Sequence, residues 1–182
     1  MKPTEVTTWH LEQRSPEELR PAPKPAAPVS LVRVERPSPE FSRYLYAAVG
    51  RDWWWYSRLA WTRDEWETWV SRPDVETWVV YEHGAPAGYF ELERQSGGDV
   101  EVVYFGLLPH AIGRGIGGWM LTEALRRAWT IGGTTRVWLH TCTLDGPHAR
   151  ANYQARGLRL FDTVVAVEDL PDEMPRLFPS VP

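Results

Sequence analysis

Apolar and polar positions alternate in several short runs along the chain, and each run predicts a strand. Ser30 to Glu35 sets Leu31, Arg33 and Glu35 against Val32 and Val34. Thr77 to Glu82, Ala87 to Glu93 and Val100 to Leu107 are three further runs. The tight turns His83-Gly84-Ala85 and Gly97-Gly98-Asp99 join them into an antiparallel meander. Arg136 to Thr141 and Leu158 to Val167 complete the strands of the main body. Val6 to Leu11 alternates weakly and reads as a short strand laid on the domain edge.

Helical spacing fills the intervals. Ser38-Pro39 supplies an N-cap and a first-turn proline. Phe41, Tyr44, Leu45 and Ala48 then form one apolar face, and Gly50 ends the helix. Thr62 and Glu65 form a capping box for a second helix carrying Trp66, Trp69 and Val70. A third helix spans roughly 115–131, with Ile116, Met120, Leu121, Ala124, Leu125 and Ala128 on one face, and Gly132-Gly133 stops it. Asp145-Gly146-Pro147 opens a short fourth helix that ends at Gly157.

A strand, a crossover helix and a further strand imply parallel pairing with a right-handed crossover. The expected fold class is therefore α/β, with one mixed sheet. An antiparallel meander joins a parallel strand pair, and helices lie on both faces. Five prolines between Pro16 and Pro28 exclude regular structure there. The expected organisation is a Pro-rich tail or linker over residues 1–28, free or docked, a single domain over 29–168 and a C-terminal tail over 169–182.

Composition narrows the function classes. The 182 residues suffice for one core, and 43 % are apolar. A net charge of −4 lacks the basic excess of a nucleic-acid binder. No apolar run approaches membrane-spanning length, and the acidic, polar start is no signal peptide. A single cysteine, Cys142, excludes an intramolecular disulfide and predicts a reducing cytoplasm. His10, His83 and His110 show no metal spacing with carboxylates or cysteine. Exposed edge strands raise the expectation of a homodimer.

The candidate chemistry gathers at one turn. Gly113, Gly115, Gly117 and Gly118 sit between the third meander strand and the third helix. Backbone amides there point inward without side chains in the way, and the helix adds its positive dipole end. This is an anion seat, suited to phosphate. Gly113, Gly115 and Gly118 satisfy G-x-G-x-x-G. A dinucleotide fold, however, places that motif after its first strand, with an acid at the end of the next. Here the next strand ends His140-Thr141-Cys142. No Gly-Lys-Ser/Thr follows, so a P-loop is excluded.

The order of elements and this turn resemble the GNAT superfamily of N-acetyltransferases over roughly residues 30–165. Leu107-Leu108-Pro109 is similar to the family's Val-x-Pro-like step. Ile112-Gly113-Arg114-Gly115-Ile116-Gly117 is similar to its Arg/Gln-x-x-Gly-x-Gly/Ala motif, with Ile112 at the usual Arg or Gln. In such sites that position mainly offers its backbone amide. Ala149 to Leu158, with Tyr153 and Gly157, resembles its Ala-x-x-x-Tyr-x-x-x-Gly-Phe segment.

The resemblance implies an acetyl-CoA-dependent N-acyltransferase acting on a primary amine, either a small molecule or a peptide, by direct transfer without a metal. It implies that the backbone of Phe105, Gly106 and Leu107 pairs with the pantetheine arm. It implies that the turn at Ile112, Gly113, Arg114, Gly115, Ile116, Gly117 and Gly118 holds the pyrophosphate. Glu101 matches the family's base, often acting through water, and Val103 and Phe105 are expected on its face. Glu91 and Glu93 are weaker candidates for that base. Tyr153 matches the acid that protonates the departing sulfur.

Two other readings stay open: a non-catalytic CoA-binding or sensing module of the same fold, and a dinucleotide-dependent oxidoreductase. A covalent role for Cys142, two residues from His140 on one strand face, is a further alternative. Seven of eleven tryptophans lie between Trp53 and Trp78, and they are either core or the wall of an aromatic acceptor pocket.

Overall fold

The chain opens with a strand. In the computed structural model, which describes residues 1–175, β1 spans Lys2–Gln13. It is twelve residues long and interior to the sheet, rather than a short strand on its edge. Trp9 and Leu11 supply its core-facing side, while Lys, Thr and Glu fill most of the rest. That polar pattern masks a strand whose hydrogen-bonding partners lie at the far end of the chain.

The remaining elements are β2 (Val29–Arg33), α1 (Pro39–Gly50), α2 (Arg63–Val70), β3 (Val75–Glu82), β4 (Ala85–Arg94) and β5 (Asp99–Leu107). Then come α3 (Ile116–Thr130), β6 (Arg136–Cys142), α4 (Ala149–Ala155) and β7 (Arg159–Leu170). One sheet takes the order β2-β3-β4-β5-β6-β1-β7. Among the described strands only β5 and β6 pair in parallel. The expected mixed α/β sheet, with its meander and parallel join, is present. The expected C-terminal tail begins later, since β7 continues to Leu170, and residues 176–182 lie outside the described ones.

Local signals explain the helices. Ser38 Oγ accepts from the Phe41 amide at 3.4 Å, and Pro39 occupies the first turn of α1. The buried stripe of α1 is Ser42, Leu45, Tyr46 and Val49; Tyr44, expected inside, is 44 % exposed. Gly50 does not take the left-handed conformation expected of a terminating glycine; its φ is −83°. It is needed for closeness instead, because a Cβ there would lie 2.3 Å from the Trp55 Cβ. Thr62 and Glu65 close the capping box on α2 from both sides.

Two cores sandwich the sheet. α3 packs against one face through Ile116, Met120, Leu121 and Leu125, meeting Phe90, Leu92, Val100, Val102, Val137 and Leu139. α1 covers the other face through Leu45 and Val49, meeting Val79 and Tyr89. The Pro-rich linker after β1 docks across α3 and α4. Arg20 donates to the Arg156 carbonyl at 3.1 Å, and the Ala22 amide donates to Thr122 Oγ1 at 2.9 Å. Gly157, at φ +93°, admits this docking, since a Cβ there would meet the Glu18 carbonyl.

A bulge in β5 sets the site. Glu91 pairs with Tyr104 and Leu92 with Val102, which leaves Val103 as an extra residue. One extra residue reverses the alternation beyond it. Tyr104 therefore joins the α1 core, and Phe105 packs against the α3 core. The expected grouping of Glu101 with Val103 and Phe105 on one face is corrected by this bulge.

Candidate active site

β5 and β6 stay paired for three residues only, Asp99 with Arg136, Val100 with Val137 and Glu101 with Trp138. Beyond Glu101 they diverge, and a groove of about 500 Å³ opens between them. Phe105, Gly106 and Leu107 form one wall. Asp145, Gly146, Pro147, His148, Asn152 and Tyr153, from the loop before α4 and α4 itself, form the opposite one. Trp53 and Trp55 close it from above. The tryptophans belong to the cluster that the sequence leaves as core or pocket wall, whereas nothing in the sequence marks residues 145–148 as a groove wall.

The groove ends at the glycine turn. Gly113 and Gly115 adopt φ of +80° and +77°, and a Cβ at either would meet nothing within 4 Å. The backbone there needs glycine for its conformation and leaves open space above it. Gly115 caps α3 without any side-chain hydrogen bond, and the first turn carries no acid. A helix N-terminus leaves free amides and a partial positive charge, so this end of the groove suits an anion. Gly117 and Gly118 both line the groove, and a Cβ at Gly118 would lie 2.7 Å from the movable Arg156 Nη1 and 3.2 Å from the Ala22 Cβ.

The other expected cofactor residues divide. Ile112 lines the groove, but its amide donates to the Pro109 carbonyl at 3.3 Å within a single 3-10 turn. Its amide is therefore already engaged, contrary to the expectation that it faces an anion. The Arg114 side chain turns to Glu82 Oε1, 2.7 Å away. The Ile116 side chain is buried in the α3 core.

At Tyr153 the groove meets a second cavity, of about 240 Å³. Both contain Trp53, Trp55, Phe105, Asp145 and Tyr153. The Tyr153 and Phe105 rings stand edge to face, 6.0 Å apart. Among the described residues the Tyr153 hydroxyl has no partner. Burial pushes the phenol well above its ordinary value, with Asp145 and Cys142 adding to it, so it stays a proton donor.

Glu101 is buried and does not line this cavity. Its Oε2 accepts from Gln95 Nε2 at 2.8 Å, and its Oε1 lies 3.4 Å from His140 Nδ1. His140 does line the cavity. Contact with the Glu101 carboxylate raises the imidazole above its ordinary 6.5, against the effect of burial. The parallel register that sets Glu101 beside Trp138 puts the next residue on that face, His140, within reach. Sequence reasoning saw His140 only as a neighbour of Cys142.

The weaker carboxylate candidates are occupied. Glu91 is buried and accepts from Arg58 Nη1 at 2.9 Å and Trp69 Nε1 at 2.8 Å. Glu93 pairs with Arg72 at 2.6 Å. Arg58 is itself caged, with Trp61, Trp69 and Tyr104 ring centres at 4.6, 4.0 and 4.5 Å. This cage folds the tryptophan-rich loop back over the sheet. Trp66 is core, while Trp53, Trp54 and Trp55 all face the cavities. These tryptophans therefore divide between core and cavity wall, at different positions. Cys142 lines the small cavity, but burial, then Asp145, raises its thiol, which opposes a nucleophilic thiolate.

Among the described residues no three metal-ligating side chains cluster, and no helix is long and apolar enough to cross a membrane. The family model of the acetyltransferase (GNAT) family matches residues 38–158. No curated protein matches the chain. Solved structures do. A GCN5-related N-acetyltransferase from Kribbella flavida is 21 % identical with a TM-score of 0.65, over 88 % of this chain and 57 % of its own. One from Sphaerobacter thermophilus is 18 % identical with a TM-score of 0.60, over 90 % and 51 %. An IAA acetyltransferase from Bacillus cereus is 22 % identical with a TM-score of 0.55, over 74 % and 79 %. The chain thus spans between half and two-thirds of the length of the first two. The family match covers the diverging strands, the glycine turn and Tyr153 together, and the chain belongs to the GNAT acetyltransferase family.

Proposed function

We propose that the protein transfers an acetyl group from acetyl-CoA directly to a primary amine. The observation that carries this is the groove between β5 and β6, which runs from the uncapped start of α3 to Tyr153 and there meets an aromatic-lined cavity. The cosubstrate supplies an activated acetyl thioester. The chain's residues do the rest. Free amides from Gly113 to Gly118 hold the pyrophosphate. The unpaired edge of β5 at Phe105, Gly106 and Leu107 orients the pantetheine arm as a strand would. Side chains of Arg114 and Ile116 act only by shaping the turn.

The amine must lose a proton and the thiolate must gain one. Tyr153 donates from the junction of the two cavities. Glu101 is reached from the cavity through His140. His140 Nε2 takes the amine proton, directly or through a water, and Glu101 stabilises the imidazolium that results, as a buried carboxylate does for a catalytic histidine. Glu101 is then a positioning residue rather than the group that touches substrate. The chemistry suits a cytoplasmic setting, where acetyl-CoA and a reduced Cys142 are at home.

Calorimetric titration with acetyl-CoA, with NADH as control, followed by thiol release over a panel of amines, tests the proposal. Binding of acetyl-CoA with thiol release on an amine is the expected result. Binding without release on any amine would favour a sensing module. Preference for NADH, or no binding of acetyl-CoA, would overturn the cofactor assignment.

A further inference from the structure

The small cavity carries a charge bias that its aromatic walls alone do not require. Among the described residues lining it there is no lysine or arginine. Two carboxylates line it, Asp145 and Glu168. Asp145 Oδ2 is engaged, accepting from Thr141 Oγ1 at 2.6 Å and the Cys142 amide at 3.0 Å. Glu168, half-buried on β7, has no hydrogen-bond or ion-pair partner among the described residues. It sits away from the groove and near Tyr56, whose phenol is raised by burial and then by Glu168 and Asp169. The Arg58 guanidinium stands behind Tyr104, a lining residue, and is spent on Glu91. Eight aromatic side chains complete the wall.

Such a lining discriminates by charge. A carboxylate or phosphate on the acceptor would meet Glu168 and no lysine or arginine, and His140, the one lining group that can turn cationic, is already beside the Glu101 carboxylate. An ammonium would meet a free carboxylate and ring faces, both of which attract cations. The volume, about 240 Å³, lies below the range of drug-sized sites, which limits the body of the ligand.

We propose that the acceptor is a small amine carrying no carboxylate or phosphate, an alkyl diamine or an arylalkylamine, admitted as a cation by Glu168 and the aromatic wall. This rests on the acyl-transfer reading for the cavity's role as acceptor site. In a diamine the second nitrogen pairs with Glu168 while the first reaches His140 and Tyr153. In an arylalkylamine the ring stacks against the wall.

Matched pairs differing by one carboxylate test this: tyramine against tyrosine, and cadaverine against lysine. Each is titrated calorimetrically into the CoA-bound protein, and thiol release from acetyl-CoA is followed separately. The expected result is a preference of roughly tenfold or more for the amine of each pair. Glu168→Gln, an isosteric change, should narrow that preference, most of all in the cadaverine pair. Equal or better binding of the amino acids, or no binding by either amine, would overturn the proposal. Amine-selective binding with no thiol release would leave charge selection standing and defeat the acyl-transfer reading instead. A preference for tyramine over cadaverine identifies the aryl class, and the reverse identifies the diamine.

Discussion

In the proposed mechanism His140 joins the proton chemistry to the cavity, and its behaviour with pH follows from its neighbours. The groups facing it are Glu101 on β5, Asp145 beyond β6, and the rings of Trp138 and of His10 on β1, the last 6.0 Å away. A base must be neutral, so kcat should climb with pH through the raised imidazole value, above 6.5. Glu101→Gln should move that limb to lower pH and lower the plateau, which a kcat profile over pH reads directly. Stability runs the other way. The charged pair contributes below the ordinary imidazole value, and the contribution fades as pH rises through the raised one. Tyr153→Phe removes only a donor, so kcat should fall by about a hundredfold or more. Acetyl-CoA affinity should hardly move, and calorimetry beside steady-state kinetics separates the two. An unchanged kcat would remove Tyr153 from the mechanism.

At the scale of elements, the loop between α1 and α2 is held by one buried ion pair. Arg58 is 6 % exposed and Glu91 2 % exposed. Breaking such a pair strands a charge in the core, so Arg58→Ala should cost about 3–5 kcal/mol in urea unfolding. The paired replacement Arg58→Met with Glu91→Leu should recover much of this, because no charge is left alone. The glycine turn makes a smaller demand. Gly113→Ala forces a side chain into a left-handed conformation at about 1–2 kcal/mol, and acetyl-CoA affinity should fall with it.

Legibility divides along the same line. The capping box at Thr62 and Glu65, the meander turns and the glycine turn each depend on residues close in sequence, and all could be read from it. The Val103 bulge could not, because a run of apolar residues reads the same with or without one extra. The His140–Glu101 contact needs the parallel register, which only the folded sheet supplies. β1 is the least legible strand, since Val6 to Leu11 reads only as a short edge strand. Its threonines, glutamates and lysine look like a tail until β6 and β7 flank it.

Across the whole molecule, β7 pairs on one side only among the described residues, which leaves its other edge open there. Val165 and Val167 on it are 59 % and 70 % exposed, and Phe161 is 43 % exposed. A flat apolar edge of this kind invites a further strand or chain. If the chain associates with itself, this is the expected contact. Val165→Lys with Val167→Lys should then shift the protein toward monomer in sedimentation velocity, with thiol release little changed.

The place of β1 also fixes an order of events during synthesis. Glu12 binds Arg136, 124 residues further on. At about 5–20 residues per second, β1 leaves the ribosome roughly 6–25 s before its first neighbour exists. The meander and α1 can pack in that interval, but the half-sheet carrying His140 and Glu168 cannot. The small cavity beside Tyr153 is therefore assembled after the meander, and β1 waits longest of the strands for its neighbours.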